Sequence, residues 1–123
     1  MEAAHDTQKK YDLEERTFQF AKRVRAFIKR IPRSLSNYED SKQLVRSSGS
    51  VGANYIEAND SLGDKDLILH VKISRKESKE SLYWLRLLNL DDKPDLEPER
   101  TDLVQEATEL MRIFGAIVRK RCS

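Results

Sequence analysis

Residues 64–88 read DKDLILHVKISRKESKESLYWLRLL. Apolar and small side chains recur every three or four residues, which predicts a helix capped by Asp64 and ending near Leu88. One stripe of this helix contains Leu67, Val71, Ser74, Ser78, Leu82 and Leu85. A second stripe, more than a third of a turn away, contains Leu69, Ile73, Trp84 and Leu87. A surface helix of a monomeric bundle needs only one apolar stripe, so the second predicts an oligomer interface. The alternative is one wide core face with Trp84 covering the end of the bundle.

Three further helical segments surround this one. The first is predicted over about 14–31, with Asp12 and Glu15 as a capping box and Pro32 as its stop. The second is predicted over 36–58, starting at a capping box of Ser36 and Glu39, and the fourth from near Pro98 to near Lys120. Because the links are short, the fold class is all-α, an antiparallel up-down-up-down four-helix bundle. Residues 1–123 form one domain, and residues 1–11 are expected to be a flexible tail.

Ser48, Gly49 and Gly52 lie in the second segment, where glycine weakens a helix by roughly 1 kcal/mol relative to alanine. Close approach of another helix is the expected compensation. The alternative is a locally weak helix.

Composition excludes several classes of protein. The chain has 123 residues, of which 36% are charged, with a net charge of only +2, so the arrangement of the charges must carry any argument about a partner. The single cysteine, Cys122, excludes an intramolecular disulfide. No signal peptide or membrane-spanning run is present, so we expect a cytoplasmic protein.

Basic residues concentrate on two of the predicted helices. No acid occurs between Arg16 and Arg33. The cations on this helix face therefore repel one another, and binding of a polyanion would relieve the repulsion. The predicted nucleic-acid contacts are Arg16, Lys22, Arg23, Arg25, Lys29, Arg30 and Arg33 on the first segment and Lys72, Arg75, Lys79 and Arg86 on the third. Phe18 projects among these cations and is a candidate for stacking on a base. The alternative is a solvated basic face neutralised in part by acids from a neighbouring helix.

The residues of known catalytic or metal sites are missing. The two histidines are His5 and His70, and neither belongs to a metal-binding motif, so no metal or other cofactor is expected. Glu77 and Glu80 are flanked by lysines, which favours salt bridges over acid–base chemistry. The sequence therefore predicts that the protein is not an enzyme.

One long motif resembles a known family. It comprises RSSGSVGANYIEAN at 46–59, KDL at 65–67 and KESKESLYWLRLL at 76–88. These stretches are similar to the bacterial four-helix bundle proteins that are often encoded in intervening sequences of large-subunit ribosomal RNA genes. The resemblance implies a homopentamer. A related branch serves as the accessory protein of diversity-generating retroelements, where a basic pentamer binds nucleic acid and a reverse transcriptase. The sequence does not decide between the branches.

The motif contains four matched polar residues, Arg46, Ser47, Asn54 and Glu57. We interpret Arg46 and Glu57 as hydrogen-bonding groups between helices or subunits, with direct RNA contact by Arg46 as the alternative. The leading hypothesis for function is a homo-oligomer that binds RNA or DNA with low sequence specificity. The alternative is a protein-interaction scaffold or adaptor, for example for a reverse transcriptase.

Overall fold

The computed structural model contains four long helices. The structure describes the backbone of residues 2–122 and the side chains of residues 12–122. The helices are α1 (Glu2–Ile28), α2 (Leu35–Asn59), α3 (Asp64–Leu87) and α4 (Glu97–Cys122), and a short 3₁₀ turn at Pro94–Leu96 precedes α4. Around the bundle α1 contacts α2, α2 contacts α3, α3 contacts α4 and α4 contacts α1. The all-α four-helix bundle predicted from the sequence is therefore confirmed.

Several predicted helix boundaries were wrong. α1 begins at Glu2 and ends at Ile28, so Asp12 and Glu15 lie inside the helix rather than at its cap. The expected tail at residues 1–11 lies outside the part of the chain whose side chains are described. α2 is capped by Ser34, whose hydroxyl accepts a hydrogen bond from the backbone N–H of Asn37 at 3.0 Å. The predicted capping box at Ser36 therefore lies two residues too far along the chain.

The start of α3 also differs from the prediction. Gly63 is the cap residue and supplies no side-chain hydrogen bond, whereas Asp64 is the first helical residue. Its carboxylate still favours the helix, because negative charge in the first turn complements the helix dipole. Pro98 lies in the first turn of α4, as predicted. Within residues 2–122, no helix combines the length and apolar character needed to cross a membrane.

The core is built from one buried face of each helix. α1 contributes Phe20, Val24 and Phe27, which are all almost completely buried. Phe114 of α4 is buried against the ring of Tyr55 of α2, with the ring centroids 5.6 Å apart. Between α2 and α3 the contact is made by small side chains, among them Ser47 and Ser81, whose buried hydroxyls are 2.8 Å apart. Serine hydroxyls satisfied in this way let the two backbones approach without burying an unpaired polar group.

α1 approaches α2 closely at Gly52. A Cβ atom at Gly52 would lie 2.8 Å from Oγ1 and 3.2 Å from Cβ of Thr17, a buried residue of α1. Thr17 Oγ1 is itself held, because it donates a hydrogen bond to the Glu14 carbonyl. At Gly49, by contrast, a Cβ would meet only the end of the flexible Arg25 side chain, at 3.2 Å.

We expect Gly52→Ala to lower the free energy of unfolding by about 1–2 kcal/mol, because overpacking outweighs the gain in helix propensity. Gly49→Ala is the matched control and should be neutral or stabilising by up to about 1 kcal/mol. Urea unfolding at one protein concentration measures both. Equal effects of the two substitutions would show that α1 does not constrain Gly52.

Candidate nucleic-acid interface

The α2/α3 seam, where these two helices meet at the surface, contains an arginine between two carboxylates. Arg46 Nη1 lies 2.9 Å from Glu77 Oε2, and Arg46 Nη2 lies 3.2 Å from Glu80 Oε1. Glu77 is only 4% exposed. A hydrogen bond with Glu77, together with burial, raises the pKa of the Glu80 carboxyl, although Arg46 opposes the shift. Arg46 of α2 therefore joins its helix to α3. This is the contact between helices that the sequence suggested for Arg46, with direct RNA contact as the alternative.

The α1/α4 seam is closed by similar ion pairs. Arg16 donates to Glu106 from Nε and Nη2, both at 2.8 Å, and to Glu109 at 2.9 Å. These hydrogen bonds raise the pKa of the Arg16 guanidinium above its usual value, so it remains charged. Arg23 Nε lies 3.7 Å from Glu99 Oε1. The acids of α4 thus neutralise two cations that the sequence placed on an uninterrupted basic face.

The α3/α4 seam, on the side of the bundle opposite α1 and α2, has a different character. Lys72, Arg75, Lys79 and Arg86 are all exposed along α3, and α4 adds Arg112 and Arg119. Among residues 12–122, none of these six cations has a carboxylate oxygen within 4.0 Å. Most paired acids of these helices face other neighbours, since Glu77 and Glu80 face α2 and Glu99, Glu106 and Glu109 face α1. One ion pair does join α3 to α4, because Asp64 Oδ1 lies 3.3 Å from Arg121 Nη1.

Gly115 brings two of these cations together. A Cβ atom at Gly115 would lie 3.3 Å from Arg119 Nη1 and 3.8 Å from Arg75 Nε. The two guanidinium groups therefore converge over one buried glycine, one from each helix. Guanidinium groups bind phosphate oxygens through paired, charge-assisted hydrogen bonds, so this arrangement suits a phosphate.

The α1/α2 seam carries the remaining cations of the first basic face. Lys22 and Arg25 lie on α1, whereas Lys29, Arg30 and Arg33 lie past its end in the link to α2, and all five are exposed. Arg25 donates to the Ala21 carbonyl at 3.1 Å and to the Val45 carbonyl at 3.4 Å, so its charge is not neutralised. The predicted basic face is thus divided in two. Arg16 and Arg23 form ion pairs with acids of α4, whereas the cations on the α2 side of α1 form none among the described side chains.

The predicted oligomer interface is a partly exposed apolar patch on α3. Leu69 and Leu87 are 52% and 48% exposed, while Ile73 and Trp84 are half-buried. Tyr83, which lies outside the predicted second stripe, is also exposed, and its ring meets that of Trp84 edge-on with the centroids 5.0 Å apart. The patch therefore offers an apolar surface that its own chain covers only in part.

The other motif residues lie in or beside the α2/α3 seam. Ser47 is buried against Ser81, and Asn54 donates to the carbonyl of Ser50 at 3.0 Å. The Oδ1 atom of Asn54 lies 3.2 Å from Nδ1 of His70, so this histidine has a partner inside the fold. Glu57 is exposed at the surface of α2.

Within residues 12–122, no three His, Cys, Asp or Glu side chains lie together as metal ligands. Cys122 is exposed at the end of α4, and His5 lies outside the described side chains. The strongest candidate site is therefore formed by the two cationic seams, which are the α1/α2 seam and the α3/α4 seam.

Sequence reasoning missed Arg112 and Arg119. They lie seven residues apart, which places them on one face of α4, and this spacing was the available signal. It was insufficient because only the packing of α3 against α4 shows which α4 face continues the basic stripe of α3.

Comparison with known proteins identifies a family and a similar solved structure. A family model described as 23S rRNA-intervening sequence protein matches residues 9–116. A crystal structure of a protein of unknown function from the S23 ribosomal protein family of Bacteroides thetaiotaomicron has 28% sequence identity and a TM-score of 0.74. That alignment covers 90% of this chain and 98% of the other. A search of the curated proteins gives no significant match.

Proposed function

Because this chain belongs to the 23S rRNA-intervening sequence protein family, we propose that it is a non-catalytic protein that binds nucleic acid through its two cationic seams. The phosphates of the polymer are the groups contacted. The observation that carries this proposal is the segregation of charge around the bundle. Carboxylates neutralise cations along the α2/α3 and α1/α4 seams, whereas the α1/α2 and α3/α4 seams expose unpaired lysine and arginine, apart from the Arg121–Asp64 pair between α4 and α3.

Segregation matters because the net charge is small. At +2 the whole molecule attracts a polyanion weakly, but a row of exposed cations along one seam creates a strong local potential. Each phosphate neutralised by a lysine or arginine releases counterions, which supplies most of the free energy of non-specific binding. Binding of this kind needs no contact with the base edges, so low sequence specificity is part of the proposal.

Salt dependence tests the proposal directly. We expect the logarithm of the association constant for duplex RNA, measured by fluorescence anisotropy, to fall by about 0.9 per logarithmic unit of salt for each phosphate contact. Arg75→Gln combined with Arg119→Gln should reduce the slope by up to about 2. The matched control, Arg16→Gln combined with Arg23→Gln, removes the same charge from the α1/α4 seam and should leave the slope nearly unchanged.

Two results would contradict the proposal. One is affinity at low salt no greater than that of an unrelated protein of equal net charge. The other is a partner protein that stays bound after nuclease treatment while no RNA binding is detected. The second result would support the scaffold hypothesis, including an adaptor for a reverse transcriptase.

Self-association is the second part of the proposed function. The patch of Leu69, Ile73, Tyr83, Trp84 and Leu87 leaves apolar area on a helix that already buries one face, which favours a second copy as the occupant. The family resemblance implies a pentamer. In an oligomer, the cationic seams of several subunits could contact one nucleic-acid molecule, which would raise the avidity of the protein for it.

We expect Leu69→Glu combined with Trp84→Ala to convert the oligomer to monomers in light scattering. The glutamate places a charge in a surface that must be dehydrated on assembly. Leu62→Glu is the control, because Leu62 is fully exposed in the link between α2 and α3. An unchanged mass for the double variant would place the interface elsewhere.

A further inference from the structure

Two exposed aromatic side chains accompany the cations of the α1/α2 seam. Phe18 of α1 is 56% exposed and Tyr38 of α2 is 63% exposed. Lys22 Nζ lies 5.6 Å from the centroid of the Phe18 ring, and Lys42 Nζ lies 5.2 Å from that of Tyr38. These are the two cation–π pairs found among residues 12–122, and both border the same seam. An exposed ring with a cation beside it offers a stacking surface next to a phosphate contact.

The surface between the two rings is concave. A groove of about 400 Å³ runs beside Phe18 and Ile56 over the small residues Gly49, Gly52 and Ala53. A second groove of about 540 Å³ lies beside Tyr38, and Lys29 and Arg33 line it. Gly49 and Ala53 have no long side chain to fill this groove, whereas Gly52 is covered by Thr17, so a ligand would lie along the surface of the seam.

The rings lie toward opposite ends of the seam. Thr17, next to Phe18, packs on Gly52, whereas Tyr38 lies beside the link that follows α1. Phe18 and Lys29 are separated by 11 positions, about 16 Å at the rise of a helix. This length suits several consecutive nucleotides of an extended strand.

Two carboxylates near this seam have partners within the fold, one of them a cation. Glu14, which lines the groove near Phe18, accepts a hydrogen bond from Asn59 Nδ2 at 2.8 Å. Glu39 lies 3.5 Å from Lys42 Nζ. Lys22, Arg25, Lys29 and Arg33 have no ion pair among the side chains described here, so the seam presents positive charge beside its aromatic rings.

We infer that the α1/α2 seam binds single-stranded nucleic acid, with unpaired bases stacked on Phe18 and Tyr38 and phosphates held by Lys22, Arg25 and Lys29. This inference rests on the proposed function and narrows its ligand at this seam. Bases in a duplex are stacked on each other and cannot reach the rings, whereas the bases of a loop or a free strand present their faces. A basic helix of a partner protein does not fit this groove, because the cations of the seam would repel it.

The test uses the intact protein and three probes of about 12 nucleotides, which are single-stranded oligouridine, an abasic strand and a blunt duplex. We expect oligouridine to bind more tightly than the abasic strand. Phe18→Ala and Tyr38→Ala should each weaken oligouridine binding roughly five- to hundredfold. Duplex binding should change by less than about twofold, because phosphate contacts alone support it.

Two variants separate stacking from a structural effect. Phe18→Trp preserves a flat ring and should restore oligouridine affinity. Leu62→Ala removes an exposed apolar side chain far from the seam and should have no effect. Circular dichroism establishes that each variant keeps its helices.

The outcomes distinguish this inference from the proposed function. If the protein binds no probe at low salt, the proposed function fails and the inference fails with it. If it binds all three probes equally and Phe18→Ala changes nothing, the inference alone is overturned. A change in oligomer mass without a change in RNA affinity also overturns it, because the seam would then be a subunit interface.

Discussion

Arg46→Met is expected to lower the free energy of unfolding by about 2–3 kcal/mol, because it leaves the buried carboxylate of Glu77 without its cation. Removing one partner of a buried pair typically costs 3–5 kcal/mol. We place Arg46 below that range because 53% of its side chain is exposed and water screens the pair. Methionine retains most of the aliphatic stem, so the loss reports the charge rather than the packing.

The control for Arg46 is Lys42→Met. Lys42 lies on the same helix and forms an ion pair with Glu39 in which both side chains are 57% exposed, so its removal should change stability by less than about 0.5 kcal/mol. Combining Arg46→Met with Glu77→Gln should recover at least half of the loss, since the uncompensated charge is gone. If Arg46→Met is no more destabilising than Lys42→Met in urea unfolding, Glu77 does not depend on Arg46.

The stability lost in Arg46→Met should also depend on pH. In the folded protein the hydrogen bond with Glu77 raises the pKa of the Glu80 carboxyl above its usual value, and Arg46 opposes that shift. Without Arg46 the folded state takes up a proton more readily than the unfolded chain. The deficit of Arg46→Met should therefore shrink as the pH falls from 7 toward 5. If the stability difference between Arg46→Met and the wild type instead grows as the pH falls, the expected direction of the pH dependence is wrong.

Asn37→Leu is expected to lower the free energy of unfolding by about 2–3 kcal/mol. Asn37 is almost fully buried, and its amide joins the link after α1 to the link after α3. Nδ2 donates to the carbonyls of Pro32 and Asn89, both at 2.9 Å, and Oδ1 accepts from the backbone N–H of Asn89 at 2.9 Å. Leucine has a similar volume but no polar atoms, so backbone groups in both links lose their partner.

Asn37→Asp tests the hydrogen bonds rather than the volume. An aspartate keeps the shape but cannot donate to the two carbonyls, and its charge would face their oxygens. It should therefore destabilise about as much as leucine. Gln43→Leu makes the corresponding change at an exposed position of α2 and should stay within about 0.5 kcal/mol of the wild type. A stable Asn37→Asp variant would show that the bridge between the links contributes little.

Sequence patterns predicted the helices better than their ends. The apolar spacing of α1 and α4 reflects the core face, because burial of that face stabilises the helix wherever it begins. Caps depend on one local hydrogen bond, and several serines near the start of α2 are chemically able to form it. Ser34 provides the cap because Asn37 is held in the links, a contact between distant parts of the chain.

The candidate site was only partly accessible from sequence. A helical wheel places Arg16 and Lys22 on one basic face, but it contains no information about the neighbouring helices. In the structure Glu106 and Glu109 approach Arg16, whereas Lys22 lies beside Phe18. Residues 90 positions apart in the chain therefore decide which cations remain available.

The amino-acid pattern by itself determined the number of helices, their buried faces and the presence of a long family motif, because each depends on spacing within one segment. Tertiary packing alone decided which charges are neutralised. It placed Glu77 and Glu80 of α3 against α2 and Glu99, Glu106 and Glu109 of α4 against α1, and it left most cations along the other two seams without an ion pair. The physical reason is that an ion pair requires atoms within about 4 Å, and helices far apart in sequence reach that distance only when they pack.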